Sequence, residues 1–259
     1  GISPSLSLAI TSKAKQMVAE GRDVFSLAAG EPDFDTPDHI KAAAAKALED
    51  GETKYSPAAG LLELRKEIAG KLFERNGVAC EPSQVVVSNG GKHSLFNVFM
   101  AICREGDEVI IPAPYWLSYP EMVNIAGGVP VPVFCSEEND YKLTPAQLES
   151  ACSEKTKALI LNSPSNPIGV VYSREEIKAL AECAVEKGIY LVSDEIYEDI
   201  VYDGAEHVSP GSLSREILAQ TVTVNGFSKA YAMTGWRLGY LAAPEQISRD
   251  VSALQSHSA

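Results

Sequence analysis

Short β-branched runs alternate with helix-length stretches along most of this chain, and that alternation constrains the fold more than any other feature. The runs are Val85-Val86-Val87, Val109-Ile110-Ile111, Ala158–Leu161, Ile189–Val192 and Thr221–Val224. Residues 38–50, 60–75, 91–104, 145–153 and 173–187 read as helices, the last opened by a Ser-Arg-Glu-Glu capping box. Strands alternating with helices of this length imply right-handed crossovers and a mostly parallel sheet with both faces covered. The expected fold class is therefore α/β: three layers, α/β/α, around a mostly parallel mixed sheet. A last candidate strand, Leu238–Ala242, follows the preceding segment too closely for a helical crossover and is expected to run antiparallel.

Composition matters here mainly for what it excludes. The formal charge of -13 argues against nucleic acid or an anionic membrane surface as the main partner, so an anionic ligand would need a local positive site. Five scattered cysteines without C-x-x-C spacing suit reduced thiols in a cytoplasmic protein, and the four histidines are too far apart in sequence to suggest a metal cluster. No apolar run reaches the roughly 18 residues of a membrane span, and the first residues lack a signal-peptide pattern.

The chemically suggestive residues fall where strands end, the edge at which open α/β sheets bind ligands. Lys229 follows an apolar strand and the turn Asn225-Gly226-Phe227-Ser228, with Arg237 eight residues later. The strand-like Tyr190–Ser193 ends in Asp194, with Tyr197 three residues on. Amine, carboxylate, phenol and guanidinium in this order are what a pyridoxal phosphate site needs. They supply a Schiff-base amine, a partner for the ring nitrogen, a donor to the 3-oxygen and a phosphate clamp.

Each piece also has a plainer reading. Lys229 alone could be a solvated surface lysine and Asp194 a helix cap. Trp116 could be core rather than a ring-stacking face, and Asn166 could be only a loop residue fixed by its neighbouring prolines. Ser88-Asn89-Gly90-Gly91-Lys92-His93-Ser94 joins strand to helix, with two glycines and free helix amides that suit an anion. A nucleotide P-loop is excluded, because positions 86 and 93 hold Val and His. Lys92 is disfavoured by about 0.3–1 kcal/mol at a helix N-terminus unless an anion sits there, although a surface lysine can tolerate that.

Taken together, the chain resembles the class I aminotransferases of pyridoxal phosphate fold type I, and within them the bacterial aspartate aminotransferase subgroup. The matching segments are Leu27–Phe34, Lys54-Tyr55-Ser56-Pro57, Gly90-Gly91-Lys92, Pro114–Pro120, Asn162–Gly169, Ser193–Tyr197 and Asn225–Tyr240. The resemblance implies an N-terminal segment (1–40) lying over the active site and a cofactor-binding large domain (41–259). It makes Lys229 the Schiff-base lysine and proton carrier and Asp194 the partner of the ring nitrogen. Tyr197 and Asn166 become donors to the 3-oxygen, and Trp116 the stacking residue. Gly90, Gly91, Lys92, Ser228 and Arg237 become the phosphate cup. Tyr55 is implied to reach the phosphate of a neighbouring subunit, giving a homodimer with shared sites. Gly30, Lys92, Trp116 and Asn166 are implied to meet the substrate, with Lys92 taking a distal carboxylate. Both Ala113–Pro114 and Asn166–Pro167 are expected to be cis.

The implied reaction moves an amino group from aspartate or glutamate to a 2-oxo acid, with prephenate a further candidate. A C–S lyase or synthase would share the same cofactor shell. The chain departs from its relatives in two ways. Position 226 is Gly where some carry a phosphate-bonding serine. The family also continues beyond the equivalent of Ala259 into a small domain bearing the arginine that grips the substrate's α-carboxylate. That domain is expected to be largely missing, leaving a chain that binds cofactor yet transaminates poorly, or a non-catalytic fragment.

Overall fold

A computed structural model describes residues 6–27 and 29–259. Residues 1–5 of the expected N-terminal segment, and Ala28 within the Leu27–Phe34 motif, lie outside the described residues. Helices α1 (Leu6–Ala19), α2 (Asp38–Glu49) and α3 (Leu62–Asn76) come first. They are followed by β1 (Val85–Ser88), α4 (Gly91–Ile102), β2 (Glu108–Ala113), α5 (Ser118–Ile125), β3 (Val129–Phe134) and α6 (Pro145–Ala151). The chain continues through β4 (Thr156–Asn162), α7 (Arg174–Lys187), β5 (Tyr190–Asp194), α8 (Arg215–Leu218), β6 (Thr221–Gly226), β7 (Gly239–Ala242) and α9 (Glu245–Gln255). One seven-stranded sheet has the order β1-β7-β6-β5-β4-β2-β3.

Only β7 is reversed: it pairs antiparallel with both β1 and β6, while the other neighbouring pairs are parallel. The antiparallel expectation for this last strand holds. Its register sets Gly239 opposite both Ser88 and Gly226, so the ends of β1 and β6 and the start of β7 share one edge.

Alternating side chains explain the three layers. Ala158 and Ile160 of β4 join Leu95, Val98, Phe99, Met122 and Val251 in the core under α4, α5 and α9. Leu159 and Leu161, one residue out of phase, join Leu148, Ile177 and Leu180 under α6 and α7. A third cluster packs Ile68 and Leu72 of α3 on Val85, Val87, Tyr240 and Ala242. Helix α2 buries none of its residues.

Local signals fix the helix ends. Ser173 Oγ accepts from the Glu176 amide at 3.2 Å, and Glu176 Oε2 accepts from the Ser173 amide at 2.6 Å, which is the capping box read from the sequence. Gly188 closes α7 in the left-handed region, with φ 67°. The stretch expected from residue 60 starts helically only at Leu62, because Gly60 has φ 91° and its backbone lies against Val87. The helices expected to reach 104 and 153 stop at Ile102 and Ala151, where Cys103 and Cys152 turn extended. Strand β3 and helices α1, α5, α8 and α9 were not anticipated.

Candidate active site

Seven structural features meet at the carboxyl edge of the parallel strands. Register pairing places Asn162, Asp194 and Val224 side by side across β4, β5 and β6. Lys229 lies three residues past the end of β6, and Trp116 three past the end of β2. Helix α4 starts just beyond β1, and the Gly30 segment crosses in front of Lys229.

Asp194 is the buried centre of this group. Its Oδ2 accepts a 2.7 Å bond from Tyr119 Oη, and its Oδ1 accepts from the Ile196 amide at 3.3 Å. Burial pushes the carboxyl up to about 6, with Tyr119 and Ile196 working against the rise and Glu195 adding to it. Asn162 Nδ2 donates to the Asp194 carbonyl at 2.9 Å, and Asn162 Oδ1 accepts from the Asn166 amide at 2.7 Å. Asn166 Nδ2 in turn donates to Tyr197 Oη at 3.3 Å. Burial, and then the charge of Asp194, raise the Tyr197 phenol. One hydrogen-bonded chain thus links the acid, the amide and the phenol.

Lys229 is half-buried, with its Nζ 5.7 Å from the centre of the Tyr197 ring and donating to the Gly30 carbonyl. Burial lowers its pKa, Arg237 lowers it further, and Glu31 opposes. An amine held in that state is readily a nucleophile. The loop beyond it is strapped to the N-terminal segment. Thr36 Oγ1 donates to the Ala232 carbonyl at 2.6 Å, and Thr234 Oγ1 to Glu31 Oε1 at 2.8 Å. A cavity of about 480 Å³ opens between Glu31–Thr36 and Ala232–Trp236, bordering the Lys229 loop rather than Asp194.

The part of the site at the start of α4 is built from backbone. Gly90 takes φ 89° as the N-cap of α4, and the amides of Gly91 and Lys92, first in the helix, have no acceptor within it. His93 Nδ1 accepts from the Asn89 amide at 3.2 Å, closing the turn. Arg237 Nη1 donates to the Thr234 carbonyl at 2.9 Å, and a Cβ on Gly90 would lie 2.6 Å from Arg237 Nη2. A Cβ on Gly239 would run into the Gly90–Gly91 backbone, so α4 can start this close to the sheet only over glycine. Ser228 is buried in the same loop as Lys229. Lys92 Nζ sits 4.9 Å from the Trp116 ring centre, and Trp116 packs edge-on against Tyr119 at 5.3 Å. Lys92 keeps solvent access, but surrounding protein and Arg237 lower its pKa.

Most of the sequence-derived residues therefore converge: Lys229, Asp194, Tyr197, Asn166, Trp116, Gly90, Gly91, Lys92, Ser228, Arg237 and Gly30. Tyr55 does not, being fully exposed. Gly226 lies within β6 and is crowded by Ile196, Gly239 and Leu238 at 3.1–3.2 Å, so a side chain there would require its neighbours to give way. Ala113–Pro114 and Asn166–Pro167 are cis as expected, and so is Ser163–Pro164. Tyr119 and Asn162 carry the site's hydrogen bonds, yet neither was assigned a role from sequence.

A buried acid, a half-buried lysine beside the Tyr197 ring, a helix N-terminus and a guanidinium thus share one sheet edge. The chain belongs to the class I and II aminotransferase family, whose description matches residues 22–259. It is 53% identical over 257 residues to an aspartate aminotransferase of Geobacillus stearothermophilus and 51% identical to a probable aspartate/prephenate aminotransferase of Aquifex aeolicus. In each case the match spans 99% of this chain and 65% of the relative. A solved aspartate aminotransferase from Thermus thermophilus, with maleate, superposes with a TM-score of 0.96 at 48% identity, over 99% of this chain and 66% of that one. The chain thus spans about two thirds of the length of these relatives.

Proposed function

We propose that the protein is a pyridoxal phosphate enzyme that moves amino groups between aspartate or glutamate and 2-oxo acids. The observation that carries this reading is the hydrogen-bonded chain Tyr119–Asp194 with Asn162–Asn166–Tyr197, set opposite Lys229 at a single sheet edge. The donor set fits the cofactor: an amine for its aldehyde, an acid for its ring nitrogen and paired amide and phenol donors for its 3-oxygen. A glycine-lined helix start with Arg237 and Ser228 suits its phosphate. Bound there, pyridoxal phosphate would supply an electron sink for the carbanion at the substrate's α-carbon.

The residues divide the work. Asp194 gains a cationic partner for a carboxylate that its surroundings leave hard to ionise. Lys229, tilted toward its neutral form, takes and returns a proton at Nζ. Tyr197 and Asn166 orient the ring, and Trp116 covers its face. Lys92 beside Trp116 is the cation for a distal carboxylate, which favours dicarboxylic substrates over apolar ones. The relative named a probable aspartate/prephenate aminotransferase makes prephenate a substrate to include. We assign Tyr55 to the site of a second subunit and the protein to the cytoplasm, with residues 1–40 as the covering segment; the five unpaired thiols fit that compartment.

The test adds pyridoxal phosphate to the 259-residue chain and to Lys229→Ala. The unmodified chain should develop the visible band of a bound cofactor, and the variant should lose it. Identical spectra would overturn the assignment. An amino-donor screen then separates transamination from lyase or synthase chemistry.

A further inference from the structure

Glu195 is buried beside the site with His207 partly buried against it, and none of the chemistry above uses them. Glu195 has no exposed surface, although it follows Asp194 directly. Its amide continues the ladder to Val224 O at 2.9 Å, so its side chain points opposite to that of Asp194. The packing agrees, since Val192 lies in the core that contains Tyr119, whereas Leu191 lies in the core that contains Val208. On this second face Glu195 Oε1 accepts from Ser193 Oγ at 2.9 Å, and its Oε2 meets His207 Nε2 at 3.0 Å and Ser209 Oγ. Glu198, one turn further, is bonded by Lys71 and by Asn76 Nδ2 at 2.6 Å. Asn76 Nδ2 also reaches Ser209 Oγ at 2.9 Å.

Glu195, Glu198 and His207 bring possible metal ligands within 4.8 Å, although the histidines look scattered in sequence. The Lys71 ammonium already neutralises Glu198, and protein donors already fill Glu195. The arrangement is an ion-pair network, with two carboxylates facing one lysine and one imidazole.

We propose that Glu195 and His207 are positioning residues: a buried carboxylate–imidazolium pair that fixes the run from Asp194 to Tyr197 from behind and cancels the negative charge standing next to the cleft acid. The proposal rests on the reading of Asp194 as the acid that meets the cofactor's ring nitrogen. A carboxylate buried without a partner is strongly unfavourable, so the pair determines whether this strand end can keep its shape. Burial and an unpartnered Nδ1 oppose a charged His207, but the hydrogen bond to Glu195 and the charges of Glu195 and Glu198 still raise its pKa, with Lys71 opposing them. The imidazole's value is raised, so its contribution is full below about 6.5 and is lost as pH climbs through the folded value. The titratable groups facing Asp194 are Tyr119 from α5 and Tyr197, while the charge of Glu195 acts on it from the opposite face of the strand.

The experiment follows the Asp194 carboxyl and the His207 imidazole by NMR titration in the cofactor-free 259-residue chain, with thermal unfolding as the control for fold. Glu195→Gln preserves shape but removes charge, and should lower both midpoints. His207→Gln removes the compensating cation, and should raise the Asp194 midpoint. Opposite shifts of Asp194, each at least about half a pH unit, are the expected result. Shifts in the same direction, or none, overturn the proposal. Should His207→Gln fail to fold, Lys71→Gln serves in its place: it should raise the His207 midpoint, and an unmoved midpoint again overturns the proposal. Both titrations are read without cofactor, so they fail or succeed independently of the Lys229→Ala spectrum.

Discussion

At the scale of single residues, Asp194 stores the most consequential free energy. A carboxyl that titrates near 6 when folded and near its ordinary 3.8 when unfolded binds its proton more tightly in the native state. The cofactor-free chain should therefore lose stability as pH rises from about 4 to about 6, by at most about 3 kcal/mol. Urea denaturation across that range, with Asp194→Asn as reference, should show a parent-minus-variant stability difference that falls as pH rises. Tyr119→Phe deletes a bond that favours the ionised acid, so the Asp194 midpoint should move above its present value, at a cost of about 1–2 kcal/mol in stability near neutral pH. The roles of Lys229, Asp194 and Tyr197 could be proposed from sequence because each chemical type sits where a strand ends. Tyr119 could not, since its partner lies 75 residues away and only the folded sheet brings the two together. The link between His207 and Glu195 was invisible for the same reason.

Among the elements, α4 and α7 respond to different kinds of damage. Gly239→Ala forces a methyl group into the backbone at the start of α4, so both stability and affinity for inorganic phosphate should fall, the latter about tenfold or more. Ser173→Ala removes the cap of α7 and should cost about 1 kcal/mol, leaving phosphate affinity unchanged. Measuring melting temperature and phosphate affinity on both variants separates the two effects. Most central strands were legible because their apolar runs face cores on both sides. Strand β3, Val129-Pro130-Val131-Pro132-Val133-Phe134, hid behind its prolines, which would break a central strand but are tolerated here because β3 pairs only with β2 at the sheet edge. Helix α5 was masked in a similar way by Pro120, which falls in its first turn, where an amide is not needed by the helix.

For the molecule as a whole, exposed apolar side chains gather in the N-terminal part. Phe25 is 88% and Leu27 99% exposed, Tyr55 is fully exposed, and α2 buries no residue. With Tyr55 assigned to a second subunit, the chain should sediment as a dimer, and Tyr55→Phe should weaken cofactor binding several-fold without changing that mass. A monomer that binds cofactor at full strength would remove Tyr55 from the site. The reversed strand β7 carries a mechanical implication. Because it begins beside the end of β6, the chain from Lys229 to Arg237 has to turn back within one short span, strapped at Ala232 and Thr234. The amine and the guanidinium, which would hold neighbouring substituents of one small ring, are thus mounted on a single bracket, and a displacement of either carries the other with it.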